Sequence, residues 1–204
     1  MTWFVIAIIA AAIIYMWIKR KPSRSDLSIL PERFVVFDLE TTGLNPDTHE
    51  IIEIGAIRVN RDSGNHDTFQ ALIRPSKKIP KKITEITGIT QDMVEKDGDF
   101  LETALSQFIE FVGDLPLVSF NAEFDMAFLT AAIKKAKAGK QVNNRVSCAL
   151  KMARRAWPGR KSYRLTDLAK DGGLSAEGTH RALGDCKRAM IVYIAAATRL
   201  RSQT

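Results

Sequence analysis

The sequence predicts an α/β protein in which one mixed, five-stranded sheet is flanked by helices and preceded by a single transmembrane helix. Three observations carry this expectation. The continuous apolar run Phe34-Val35-Val36-Phe37 has the pattern of a strand buried on both faces. Two more strand candidates follow closely enough to pair antiparallel with it. After Pro75 the apolar spacing becomes helical, and helices then alternate with short strands, as in a sheet covered by helices. A length of 204 residues with 46% apolar content suits one domain with a sizeable core and crowds out two unrelated ones.

In chain order, Thr2 to Ile18 is an uncharged apolar run closed by Lys19-Arg20-Lys21 and Pro22. As a helix it reaches roughly 25 Å, slightly short of a bilayer core. Snorkelling lysines and interfacial Trp3, Tyr15 and Trp17 make up the difference. A cleaved signal peptide is the main rival, although its cations belong before the apolar run; a buried core helix is the third reading. Cationic flanks stay in the cytoplasm, so the expected location is a membrane, single-pass, with the residues from Lys19 onward on the cytoplasmic side. On this division residues 2–18 are the anchor, 19–31 a basic juxtamembrane linker, and 32–204 the folded domain.

Arg33 to Leu39 reads as the central strand, with Ile51 to Val59 and Asp67 to Arg74 beside it and the turn-rich Asn60 to Asn65 between those two. Phe100 to Val112 repeats Leu101, Leu105, Phe108, Ile109 and Val112 at helical spacing. Leu115 to Phe120 is a short buried strand. Glu123 to Ala136 follows as a helix with Phe124, Ala127, Phe128 and Ala131 on one side. Val142 to Cys148 supplies a fifth strand, and helices are expected over Cys148 to Arg155, Leu165 to Lys170 and His180 to Arg199.

The net charge is +7, and Lys19, Arg20, Lys21 and Arg24 supply four of those charges, leaving about +3 for the rest. That balance permits nucleic-acid binding without requiring it. Cys148 and Cys186 are too few for a disulfide framework and lack metal-site spacing, so both read as reduced thiols.

The chemistry is concentrated in acids. Asp38 and Glu40 lie two apart at the end of a buried strand, where side chains two apart share a face. Two carboxylates in an apolar strand either protonate or bind cations, although a strand end meeting solvent would look the same. Asp125 falls in the first turn of a helix, where an acid is also a favourable partner for the helix dipole. His180 and Asp185 open the last helix, and each has an ordinary structural explanation alone.

Together, FDLETTGL, IIEIGAI, the TGI of Thr87 to Ile89, FNAEFD and HRALGDC occur in the order and local sequence of a known family. They resemble the motifs of the DEDD 3′-to-5′ exonuclease superfamily, in its histidine-containing branch. That branch includes the proofreading exonuclease subunit of bacterial DNA polymerase III and ribonuclease T. The resemblance runs from Glu32 to Leu200 and implies a ribonuclease H-like fold. It implies hydrolysis at DNA or RNA 3′ ends, with Asp38, Glu40, Asp125 and Asp185 holding two Mg²⁺ or Mn²⁺ ions and His180 as general base.

The resemblance also implies substrate contacts at Thr41, Thr42, Gly43, Leu44, Ile86, Thr87, Asn121 and Phe124. Core packing is the alternative for Leu44 and Phe124, and Glu53 reads as structural. Ser147-Cys148 departs from the Asp-Thr pair of relatives, which bears on substrate handling. Arg154, Arg155, Arg160, Lys161 and Arg164 form either a phosphate track or a solvated helix face. The competing functions are a module of this fold that binds nucleic-acid ends without cleaving them, and a membrane-tethered assembly platform. The intact acids and histidine argue against the first.

Overall fold

The computed structural model of the chain describes residues 30–137, 142–173 and 180–202. The apolar run at its start forms β1 (Arg33–Thr41), in which Phe34, Val35, Val36 and Phe37 are fully buried. Burial on both faces follows from its place in the sheet. β2 (Ile51–Asn60) pairs antiparallel on one side of β1, and β4 (Leu117–Ser119) pairs parallel on the other. β3 (Asp67–Leu72) and β5 (Val146–Cys148) close the order β3-β2-β1-β4-β5. This is the mixed five-stranded sheet expected from the sequence.

Helices α1 (Lys81–Thr87) and α2 (Gln91–Asp97) precede α3 (Leu101–Val112) and α4 (Ala122–Lys135). After β5 come α5 (Ala149–Ala156), α6 (Leu165–Asp171) and α7 (Ala182–Arg201). The alternation along β1 divides the core. Val35, Phe37 and Leu39 pack with Leu105 and Phe108 of α3 and with Phe128 and Leu129 of α4. Phe34 and Val36 pack with Ala149 and Ala153 of α5 and with Ala189, Val192 and Tyr193 of α7. Asp38 and Glu40 continue the second set by strand period, so both acids are directed toward the α7 side.

The first turn of α7 lies directly on β2. A Cβ on Gly55 would fall 2.5 Å from the Leu183 amide nitrogen and 2.6 Å from the Ala182 carbonyl carbon. Only glycine admits so close a backbone approach. The Cys186 thiol donates to the Gly55 carbonyl at 3.2 Å, fixing the contact from the helix side.

Several expectations are corrected. α1 and α2 were not foreseen, because each holds only two apolar residues, Ile83 and Ile86 or Met93 and Val94, too few to display a helical period. β3 ends at Leu72, and Ile73 makes only an isolated bridge to Asp99. β4 and β5 are shorter than expected. The last helix begins at Ala182, since His180 has a left-handed backbone at φ 60° and Arg181 is extended. The folded part already includes Leu30, which is buried and accepts a hydrogen bond from Arg61 at 2.9 Å.

Among the described residues no helix is long and apolar enough to cross a membrane. The longest, α7, carries Asp185, Lys187, Arg188, Arg199 and Arg201, and it packs on the sheet. The expected anchor at 2–18 lies outside the described residues.

Candidate active site

Asp38 and Glu40 share the α7-facing side of β1, and the first turn of α7 brings Asp185 to them. One oxygen from each of these three carboxylates lies within 4.8 Å of the other two. Asp38 is half-buried, while Glu40 and Asp185 are buried. Asp125, on the first turn of α4, is buried too, but it is not one of the three that meet. Its carboxylate accepts from the Ser119 hydroxyl at the end of β4 and from the Leu39 backbone amide. The acids therefore gather at the C-terminal ends of the two parallel neighbours β1 and β4, where open α/β sheets commonly form their crevices.

Electrostatics show what this gathering costs. Burial, reinforced by Asp185, Glu53 and Asp125, pushes Glu40 up to about 8, and Arg181 offsets only part of this. Asp38 is raised well above the carboxylate range by burial and then by the charges of Asp125, Glu40 and Asp185. Asp125 rises to about 7 through burial, opposed by its bonds from Ser119 and Leu39. Buried acids this close cannot all ionise without a counter-charge, and hard divalent cations with oxygen preference supply one. The donor set fits such ions.

The last-helix motif divides between backbone and side chain. The His180 amide donates to Asp185 Oδ2 at 3.1 Å, while the residue itself is exposed. Arg188, buried one turn further on, places Nη1 3.0 Å from Asp185 Oδ1. Sequence reading missed Arg188, although its i, i+3 spacing from Asp185 was a usable signal. It also missed Ser119 as a donor to Asp125. Glu53, read as structural, is fully buried and is taken up by Arg181, Gln70 and the Ala182 amide.

The loop after β1 is built from its own polar groups. Thr41 Oγ1 donates to the Gly43 carbonyl at 2.6 Å, and Thr42 Oγ1 accepts from the Glu50 amide at 3.0 Å. Gly43 has the His49 ring 2.5 Å from where a Cβ would sit. Leu44 is 84% exposed, so core packing does not explain it. Leu44, Asn121 and Phe124 line one cavity of about 330 Å³. Phe124 also stacks on the core residue Phe128, with ring centroids 4.9 Å apart.

Ile86 and Thr87 sit at the C-terminal end of α1. Ile86 is exposed, but the buried Thr87 hydroxyl is engaged by the Ile83 carbonyl and the Ile89 amide. In the basic stretch, Arg160 pairs with Asp171 at 2.5 Å and donates to the Ser162 carbonyl, a structural role. Arg155 lines a shallow depression with Lys151, Ser147 and Cys148.

The RNase_T family pattern, described as "Exonuclease", matches residues 35–193. The chain is 36% identical over 167 residues to DNA polymerase III subunit epsilon of Aquifex aeolicus, covering 82% of this chain and 81% of that one. It is 40% identical over 156 residues to the PolC-type DNA polymerase III of Clostridium perfringens, covering 76% of this chain but only 10% of that much longer protein. A solved structure of Exonuclease X in complex with 5′ overhanging duplex DNA superposes with a TM-score of 0.63 at 27% identity, covering 80% of this chain and 90% of that one. Escherichia coli Exonuclease I with a dT13 oligonucleotide shares the fold, with a TM-score of 0.69 at 20% identity over 85% of this chain and 42% of the other. These relatives are named as polymerase components and exonucleases, which overturns the single-pass membrane location expected from the apolar N-terminus.

Proposed function

The chain belongs to the Exonuclease family of the DEDD superfamily, as a 3′-to-5′ exonuclease hydrolase, and from that premise we propose that it removes mononucleotides from nucleic-acid 3′ ends by metal-dependent hydrolysis. The observation that carries the reading is the convergence of Asp38, Glu40 and Asp185 within 4.8 Å, with Asp125 buried beside them.

In this reading the four acids would hold two Mg²⁺ or Mn²⁺ ions. Such ions, when bound, acidify a water and stabilise charge on the phosphate and the departing oxygen. The chain's own residues do the rest. His180 accepts the proton of the attacking water, a task suited to an imidazole near neutral pH. The water oxygen bonds to the terminal phosphorus, the bond from phosphorus to the penultimate 3′ oxygen breaks, and that oxygen is protonated from solvent. A nucleoside 5′-monophosphate and a shortened strand with a free 3′ hydroxyl result.

The Thr41-Thr42-Gly43 backbone lies against the terminal nucleotide, and exposed Leu44 contacts its base, with Asn121 and Phe124 on the same cavity wall. Ile86 borders the nucleotide from α1, and Thr87 supports that helix end from within. The DNA named in the Exonuclease X and Exonuclease I structures supports DNA as the first substrate to test, with RNA beside it.

The purified chain is expected to release mononucleotides from 3′-labelled DNA or RNA with Mn²⁺ or Mg²⁺, and not with a chelator. Asp38→Ala abolishes release. His180→Ala lowers single-turnover rates by about 10²- to 10⁴-fold while Mn²⁺ affinity persists. Wild-type protein that binds 3′ ends but releases nothing under any of these conditions would favour the non-cleaving module.

A further inference from the structure

His180 holds a left-handed backbone, φ 60°, and it is not glycine. A residue with a Cβ keeps that conformation only where its surroundings over-determine it. On one side the restraint is Asp185, which accepts from the His180 amide at 3.1 Å. The other side is held by an ion pair. Arg181, the next residue, lays its guanidinium on Glu53, with Nη2 2.6 Å from Oε1 and Nε 3.2 Å from each carboxylate oxygen.

The same carboxylate accepts from the Ala182 amide at 2.8 Å, at the first residue of α7. Gln70 on β3 steadies it from the opposite direction, donating to Oε1 at 3.0 Å. Glu53 is fully buried and stands directly across from Glu40 in the β1–β2 register. Beside it, Gly55 lets the α7 backbone rest on the strand. Residues 180, 181 and 182 are thus each tied to one of two buried acids.

A buried carboxylate is a costly way to secure a helix start when an apolar contact would also serve. What the charged fork adds is direction, since a bidentate arginine–carboxylate pair has one geometry. We propose that Glu53 and Arg181 form a positioning pair that sets the place of His180 over the acid group, so that turnover depends on two side chains which are neither base nor ligand. The inference rests on the reading of His180 as the base. Arg181 also lowers the repulsion felt by Glu40, so its charge acts on the acids from the same seat.

The test uses the full chain, with Arg181→Lys, Arg181→Gln, Glu53→Gln and the exposed-site control Lys81→Gln. Wild-type release of mononucleotides tests the functional reading by itself. For the pair, kcat per folded molecule and KM are measured with saturating Mn²⁺, Mn²⁺ affinity is measured separately, and the histidine Cε1–H resonances are followed in the metal-free protein. Arg181→Gln is expected to lower kcat by about 10- to 100-fold, with KM and Mn²⁺ affinity within about threefold. It is also expected to move the His180 resonance but not those of His49 and His66. Arg181→Lys keeps the charge, loses the fork and falls between wild type and Arg181→Gln; if Arg181→Gln does not fold, Arg181→Lys decides alone. An unchanged kcat per folded molecule, or an unmoved His180 resonance, overturns the proposal. If the wild type shows no release, the functional reading fails, and the resonances still decide whether the pair holds His180.

Discussion

At the scale of single residues, Ser119 shows how one hydroxyl can tune an acid. Its donation to Asp125 opposes the rise that burial imposes, leaving that carboxyl at about 7. Ser119→Ala is therefore expected to raise the Asp125 midpoint in a carboxyl NMR titration of the metal-free protein. An unmoved midpoint would show that the hydroxyl does not support the charged form. The pairing of Asp38 with Glu40 was legible in the sequence because strand period is local. The turn of Asp125 toward Ser119 was not, since it depends on where β4 delivers the hydroxyl.

At the scale of elements, the decisive contact is α7 on β2. The two atoms nearest a Cβ at Gly55 belong to backbone and the third is the Ala182 Cβ, so the helix start has no flexible end to move aside. Gly55→Ala is expected to destabilise the protein by about 1–3 kcal/mol in urea unfolding. It should also depress activity in the molecules that remain folded, because Asp185 moves with the helix. Gly64, in an open turn with nothing within 4 Å of a Cβ, is the control; Gly64→Ala should stay within about 0.5 kcal/mol of wild type. Equal effects at the two glycines would remove the argument. The two short helices α1 and α2 were invisible to periodicity, but their punctuation was present. Gly88 closes α1 with φ 71°, and Thr90 caps α2 by accepting from the Met93 amide at 3.2 Å. A small cluster of Ile52, Ile79, Ile89 and Val94 holds them down.

At the scale of the whole molecule, the acid group ties stability to pH. Glu40 and Asp125 are raised to about 8 and about 7, above their ordinary values of 4.5 and 3.8. In the metal-free fold they keep protons that the unfolded chain has released. Their contribution is therefore full below the ordinary carboxylate range and is lost as pH rises through 7 to 8. Metal-free Tm should fall between pH 5 and pH 8, and saturating Mn²⁺ should remove most of the fall. Glu40→Gln should flatten the slope and raise the metal-free Tm at pH 8, because a site acid is exchanged for a neutral group. A slope unchanged in Glu40→Gln would mean that the acids are not what the pH senses.

The sequence by itself determined the succession of the five strands and of helices α3 to α7, the shared face of Asp38 and Glu40, and the run of motifs that marks the family. Each of these is a property of neighbouring residues, set by backbone period and local chemistry. The apolar N-terminal run was equally legible, yet the location inferred from it was overturned by the relatives, because local composition does not say where a whole protein resides. Tertiary structure alone decided that Asp185 joins the first two acids while Asp125 turns to Ser119, and that Leu44 is exposed. It also decided that Glu53 meets Arg181 from 128 positions away. The physical reason is that burial and Coulomb coupling depend on distance in space, and only packing of α7 on β2 makes those distances short.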